Sequence, residues 1–149
     1  MVEDLVEIEY PTRKEKCKAC NLRENCSQIV KGMGPLDADV IFIGDCPDKY
    51  ADKHNEPFSE GSPHGDALDW VLEESGLKID QVRMTYAVGC RPKPDHGLEL
   101  PPPIPSVEVC RHWIFMEIDL ITKKRKEKGK SNPAVIGIGT TAAYSLLNC

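Results

Sequence analysis

The sequence predicts an α/β fold, a short parallel sheet with helices on its faces. Three observations predict it. Short, nearly continuous apolar runs close on glycine, as in Asp39-Val40-Ile41-Phe42-Ile43-Gly44 and Ala134 to Gly139. Amphipathic stretches with helix start and stop signals separate these runs. The resulting order is strand, helix, strand, helix, strand, helix, the pattern of crossover-linked parallel strands buried on both faces.

The elements follow in order. The first sixteen residues are charged and end in Arg13-Lys14-Glu15-Lys16. Cys17 to Cys26 is polar and cysteine-rich. The first strand ends at Gly44, and Asp45 to Pro63, with three prolines, reads as a long loop. A helix then starts with Ser62 as its cap and Pro63 in its first position, where the missing N–H costs nothing. Leu68, Val71, Leu72 and Ser75 share one face of it, and Gly76 stops it. Val82 to Val88 is the second strand. Cys90 to Pro105 holds six prolines and reads as loop. Ser106 caps a second long helix, with Val107, Cys110, Trp113, Ile114, Glu117, Ile118 and Ile121 at helical spacing. That helix ends in the basic run Lys123 to Lys130. Ala134 to Ile138 is the third strand, and Thr140 to Leu147 opens a last helix. In such a sheet, binding residues belong in the loops at the carboxyl ends of the strands, which begin here at Gly44, Gly89 and Gly139.

Length and composition set the class. A chain of 149 residues suits one domain, and 40% hydrophobic with 29% charged residues fits a globular protein. No apolar run approaches the ~20 residues that span a bilayer, and Met1-Val2-Glu3-Asp4 is not a secretory leader, so a cytoplasmic setting is the expectation. The net charge of −5 excludes bulk attraction to nucleic acid and leaves only a local basic patch. Lys123 to Lys130 is one candidate for gripping phosphates. A solvated helix end, with lysines complementing the dipole, explains it equally well.

Seven cysteines are many for a reducing compartment, and their odd number argues for metal over a disulfide framework. Cys17-x-x-Cys20 is a chelating pair, and Cys90 and Cys110 complete four thiolates. Four thiolates suit a tetrahedral zinc or a 4Fe–4S cluster, and spacing leaves both open. Cys90 and Cys110 also fit as small core residues. Cys26 is the substitute ligand; Cys46 and Cys149 have no pairing logic.

The order of motifs is more informative than any one of them. The Cys17–Cys20 pair precedes a strand ending Gly44-Asp45-Cys46-Pro47-Asp48. Glu56-Pro57-Phe58 and a glycine-containing helix start at Gly61 to Leu68 come next. A strand then runs into Cys90-Arg91-Pro92, a proline-rich loop leads to Glu108-x-Cys110, and Ile138-Gly139-Thr140-Thr141-Ala142-Ala143 turns into a helix. This order, from Cys17 to the end, resembles the iron–sulfur uracil-DNA glycosylases of family 4. The resemblance implies a three-layer α/β/α sandwich over 1–149, with 1–16 as a flexible or N-terminal extension. It implies a 4Fe–4S cluster on Cys17, Cys20, Cys90 and Cys110. It also implies base-excision repair of DNA, acting on single strands or on a base flipped from a duplex. Asp45 would handle water, Gly44, Cys46 and Pro47 would supply a backbone cradle, and Phe58 would stack on the base.

Four departures qualify this. Asp45 stands where the family has Glu, and Asp48 where it has glycine. Tyr86 stands where an Asn reads uracil, and a phenol lacks the paired donor and acceptor of an amide. The family's His-Pro segment and fourth strand would fall beyond Cys149, so the sheet is expected to be C-terminally incomplete with an open edge. His64 stands nearest the expected pocket, and none of the four histidines has a helical two-His metal spacing. Three functions compete on these residues: a monomeric uracil-DNA glycosylase, a non-catalytic iron–sulfur module binding DNA or a replication protein, and a zinc-stapled structural domain.

Overall fold

The computed structural model describes Cys17 and residues 19–147; the expected N-terminal extension and Cys149 lie outside them. Helix α1 (Leu22–Asn25) precedes strand β1 (Val40–Gly44), α2 (Lys49–His54) and α3 (Pro63–Ser75). A 3₁₀ turn at Ile79–Gln81 leads into β2 (Val82–Tyr86), then α4 (Ile104–Glu127), β3 (Ala134–Ile138) and α5 (Thr140–Leu147). The strands form one parallel sheet in the order β2-β1-β3, with Gly44 level with Tyr86 on one side and Ile138 on the other. All three carboxyl ends therefore open on the same rim.

Period-two alternation in β1 explains the layers. Ile41 and Ile43 face Ile114 and Ile121 of α4 and Ala142 of α5. Val40 and Phe42 face the other way, onto Leu68 and Val71 of α3. Both faces of β1 are buried, which is why its sequence is continuously apolar. The result is the expected α/β/α sandwich. Every residue of β3 is exposed, Val135, Ile136 and Ile138 among them, so the sheet ends on an apolar open edge. No helix of the described residues is long and apolar enough to cross a membrane.

Local signals account for the helix ends. Ser62 Oγ accepts from Gly65 N–H at 3.0 Å, and Gly76 ends α3 at φ 72°. Two expectations need correction. The Asp45–Pro63 segment is not all loop: Asp48 caps α2 by accepting from the N–H groups of Tyr50 and Ala51. And α4 begins two residues before Ser106, because Pro103 O accepts from Ser106 N–H and Val107 N–H while Pro105 sits where no N–H is needed.

The basic run at the end of α4 is partly core. Arg125, 6% exposed, donates to the carbonyls of Asp37, Ala38 and Ser131 and reaches Asp39 Oδ1 at 2.6 Å. Lys128 and Lys130 both contact Asp37. These contacts lie beside Val40 and Ala134, the amino ends of the strands, opposite the rim where ligands bind. The phosphate-gripping expectation for Lys123–Lys130 therefore loses Arg125, Lys128 and Lys130 to structural roles.

These pairs predict a pH effect. Hydrogen bonding to Arg125, and then to Gln81, holds the Asp39 carboxyl below its usual range, and Lys128 does the same for Asp37. Carboxyls lowered in the fold stabilise it above their unfolded pKa of about 4, and that support fades as pH falls through the lowered folded values. The melting temperature is expected to drop below about pH 4. Asp39→Asn should melt lower at neutral pH and lose less on acidification.

Candidate active site

The rim at Gly44, Tyr86 and Ile138 opens into a largely apolar cavity of about 270 Å³, which Asp45, Phe58, His64, Leu68 and Gly139 also line. Tyr86 and Phe58 are its aromatic wall. Their rings stack with centroids 5.3 Å apart and planes 19° apart, and Phe58 N–H donates to the Tyr86 hydroxyl at 3.0 Å. That bond holds Phe58 at φ 52°, a left-handed conformation rare for a bulky side chain and typical of sites under functional constraint. Gly44 is required here, since a Cβ would lie within 3.0 Å of both rings. Burial pushes the Tyr86 phenol well above its ordinary value, so the hydroxyl stays protonated.

Asp45 leaves β1 toward α5. Its Oδ1 accepts from Ala142 N–H at 2.8 Å, at the positive end of that helix. Gly139, at φ 107°, makes room: a Cβ there would collide with the carboxylate. One carboxylate oxygen is thus committed to the fold.

Cys46 and Pro47 face elsewhere. With Asp48, Lys49, Tyr50, Pro63 and Glu99 they line a neighbouring groove of about 320 Å³ that carries charged side chains. Burial, reinforced by the Asp45 charge, pushes the Cys46 thiol up to about 12. Of the residues expected in the pocket, the structure brings together Gly44, Asp45, Phe58 and Tyr86, and sets Cys46 and Pro47 in the groove. His64 lines both spaces, and its Nδ1 lies 3.4 Å from Asp48 Oδ2. No sequence signal paired Asp48 with His64, sixteen residues apart; both stand out only as polar residues flanking the expected loop.

Behind the groove lies a nest of sulfur. Cys26, Cys90 and Cys110 are buried together among Leu22, Ile29, Val88 and Val107, and Cys17, Cys20 and Cys46 pack against them. All six described cysteines are free thiols. A hydrogen bond between them lowers Cys26 to about 7 and raises Cys90, which burial and the neighbouring Cys110 and Cys20 raise further. Cys26 is thus close enough to Cys90 to matter as the substitute ligand.

This donor set tests the two metals. A zinc site needs all four sulfurs about 2.3 Å from one point. A 4Fe–4S cube carries each thiolate on a separate corner, so its ligands gather around a larger volume. An all-sulfur set gathered at one apolar patch fits a four-thiolate centre.

The comparisons with known proteins agree with this geometry. A family model described as the uracil DNA glycosylase superfamily matches residues 31–144. A type-4 uracil-DNA glycosylase of Thermotoga maritima is 33% identical over 94% of this chain and 65% of that protein. Type-4 uracil-DNA glycosylases of Sulfurisphaera tokodaii and Archaeoglobus fulgidus are 31% and 28% identical, over 72% and 70% of this chain. The chain spans 65%, 47% and 50% of the length of these three relatives. With more than half of its residues inside the family match, from the loop before β1 to α5, the chain belongs to the uracil DNA glycosylase superfamily.

Proposed function

We propose that this chain hydrolyses the N-glycosidic bond of uracil in DNA, with a 4Fe–4S cluster on Cys17, Cys20, Cys90 and Cys110. The observation that carries the reading is one cavity, at the carboxyl rim of the sheet, into which Gly44, Asp45 and Phe58 all face. A base inside a duplex is out of reach, so the nucleotide must be flipped or already unpaired. The flipped base enters the apolar cavity against Phe58, where stacking is worth about 1–3 kcal/mol. Asp45 Oδ2, on the carboxylate whose other oxygen is tied to Ala142, holds the attacking water. Backbone groups at Gly44 steady the base as negative charge builds on it. When bound, the cluster staples the Cys17–Cys20 segment to the end of β2 and to α4. The partner is DNA, met by a monomer in the cytoplasm.

Release of uracil from a single-stranded oligonucleotide carrying one deoxyuridine tests this directly, read as strand scission after alkali. No abasic product above a protein-free control would reject it.

Tyr86 favours a second reading, a non-catalytic iron–sulfur module that binds nucleic acid. Its ring already covers one face of Phe58, and its hydroxyl already takes the Phe58 N–H. The two readings part at one substitution. Tyr86→Asn restores an amide able to pair with a uracil edge, and two such hydrogen bonds are worth about 1–3 kcal/mol together. Excision (kcat/KM) is expected to rise roughly 10- to 100-fold. An unchanged rate would show that Tyr86 does not occupy the base-reading position.

A further inference from the structure

His64 and Asp48 form a pair that nothing in the family resemblance calls for, and it borders the candidate cavity. Asp48 is fixed twice. Its Oδ1 caps α2 through the N–H groups of Tyr50 and Ala51, at 3.0 and 2.9 Å, which leaves Oδ2 facing His64 Nδ1 at 3.4 Å. His64 is fixed by its helix: it follows Pro63 in the first turn of α3, whose start Ser62 pins through Gly65 N–H. Asp48 lines only the groove, whereas His64 lines both the groove and the cavity. A neutral ring that turns Nδ1–H to Asp48 keeps its lone pair on Nε2, and His64 lines the cavity that Asp45 also lines. Lys49 and Glu99 line the groove near this pair, and Asp45 shares the cavity with the imidazole.

Asp45 alone is poorly placed to be that base. It is one methylene shorter than the Glu of the related enzymes, and one of its oxygens is committed to Ala142 N–H. We propose that His64, oriented by Asp48, is the general base that takes the proton of the attacking water, while Asp45 only positions that water. This rests on the glycosylase reading above. The step balances: the water oxygen bonds to C1′ of the deoxyribose, the C1′–N1 bond breaks, and its electron pair leaves with uracil as the N1 anion. The water proton goes to His64 Nε2, and the imidazolium is stabilised by Asp48. Asp48 is a positioning residue, which acts through the imidazole.

The test is single-turnover uracil release by wild type, His64→Gln, His64→Ala and Asp48→Asn, each checked for an unchanged melting temperature. A general base contributes about 10²–10⁴-fold, so His64→Gln is expected to lose on the order of 10²-fold or more in kcat with little change in KM. His64→Ala should regain part of that loss in added imidazole. Asp48→Asn retains the cap on α2 but turns an amide N–H toward Nδ1, which forces the proton onto Nε2 and removes the lone pair. It should lose activity as His64→Gln does and gain nothing from imidazole. If wild type releases uracil and His64→Gln matches it, the inference is overturned and the glycosylase reading stands. If wild type releases none, both fall together.

Discussion

Replacing Cys90 by serine is expected to strip iron from the protein, bleach its visible absorbance and lower its folded stability by several kcal/mol. Cys90 is only 8% exposed, packed with Val88, just beyond β2, and with Cys110 of α4. Serine there would lose the thiolate ligand proposed above and leave a hydroxyl in an apolar pocket, which alone costs about 1–3 kcal/mol without a partner. Losing the cluster costs more, because cluster binding is also folding energy for the segments it joins. Iron and acid-labile sulfide per chain, the violet-region absorbance and a thermal melt all read the outcome. Serine at Cys17, Cys20 or Cys110 should behave alike. Cys46→Ser should keep iron, since that thiol faces the groove, and Cys26→Ser should keep it while loosening the bond to Cys90. Full iron and an unchanged melt in Cys90→Ser would remove this ligand from the assignment. Zinc in place of iron would reverse the choice of metal.

What the sequence made legible, and what it did not, follows from the range of each interaction. The ends of α3 were readable because capping is local: Ser62 and Gly76 act within a few residues of where they stand. The strands were readable because burial on both faces leaves continuous apolar runs. α2 was missed because six residues give no full helical period, and its one signal, the Asp48 cap, sits among prolines that suggest loop. The sequence offers Arg125 two exposed roles with its charged neighbours, gripping phosphate or ending a solvated helix, yet it is core. Its partners are carbonyls of residues 37, 38 and 131, and no sequence pattern reports carbonyl oxygens that a long side chain gathers. In the site, Asp45, Phe58 and Tyr86 were identified as separate positions by motif order. That Tyr86 stacks on Phe58 and that Asp48 meets His64 are contacts across loops, fixed only when the rim is assembled.

Glu117 shows how far the proposed cluster would depend on contacts of that kind. It was legible as one of the inward positions of α4, an acid in an otherwise apolar row, but its partner was not. The structure buries it completely and answers it from β2: Arg83 Nε donates to Oε1 at 2.7 Å and Thr85 Oγ1 to Oε2 at 3.1 Å, while Arg83 Nη1 reaches Gly34 O. Gly32 leaves the space, since a Cβ there would strike the Glu117 carboxylate. Removing one partner of such a pair leaves a buried charge unanswered, at a cost of about 3–5 kcal/mol. Glu117→Ala is therefore expected to lose about that much in denaturant unfolding, with Arg83 stranded at 7% exposure. The paired change Arg83→Met with Glu117→Leu should recover most of the loss, because apolar replacement removes both charges at once. The consequence would reach the proposed cluster: β2 leads to Cys90, α4 carries Cys110, and this network ties β2 to α4. Glu117→Ala should lose iron faster to a chelator than wild type, and the paired variant should not. Equal chelation rates in all three would mean that the cluster, rather than the ion pair, sets the spacing of β2 and α4.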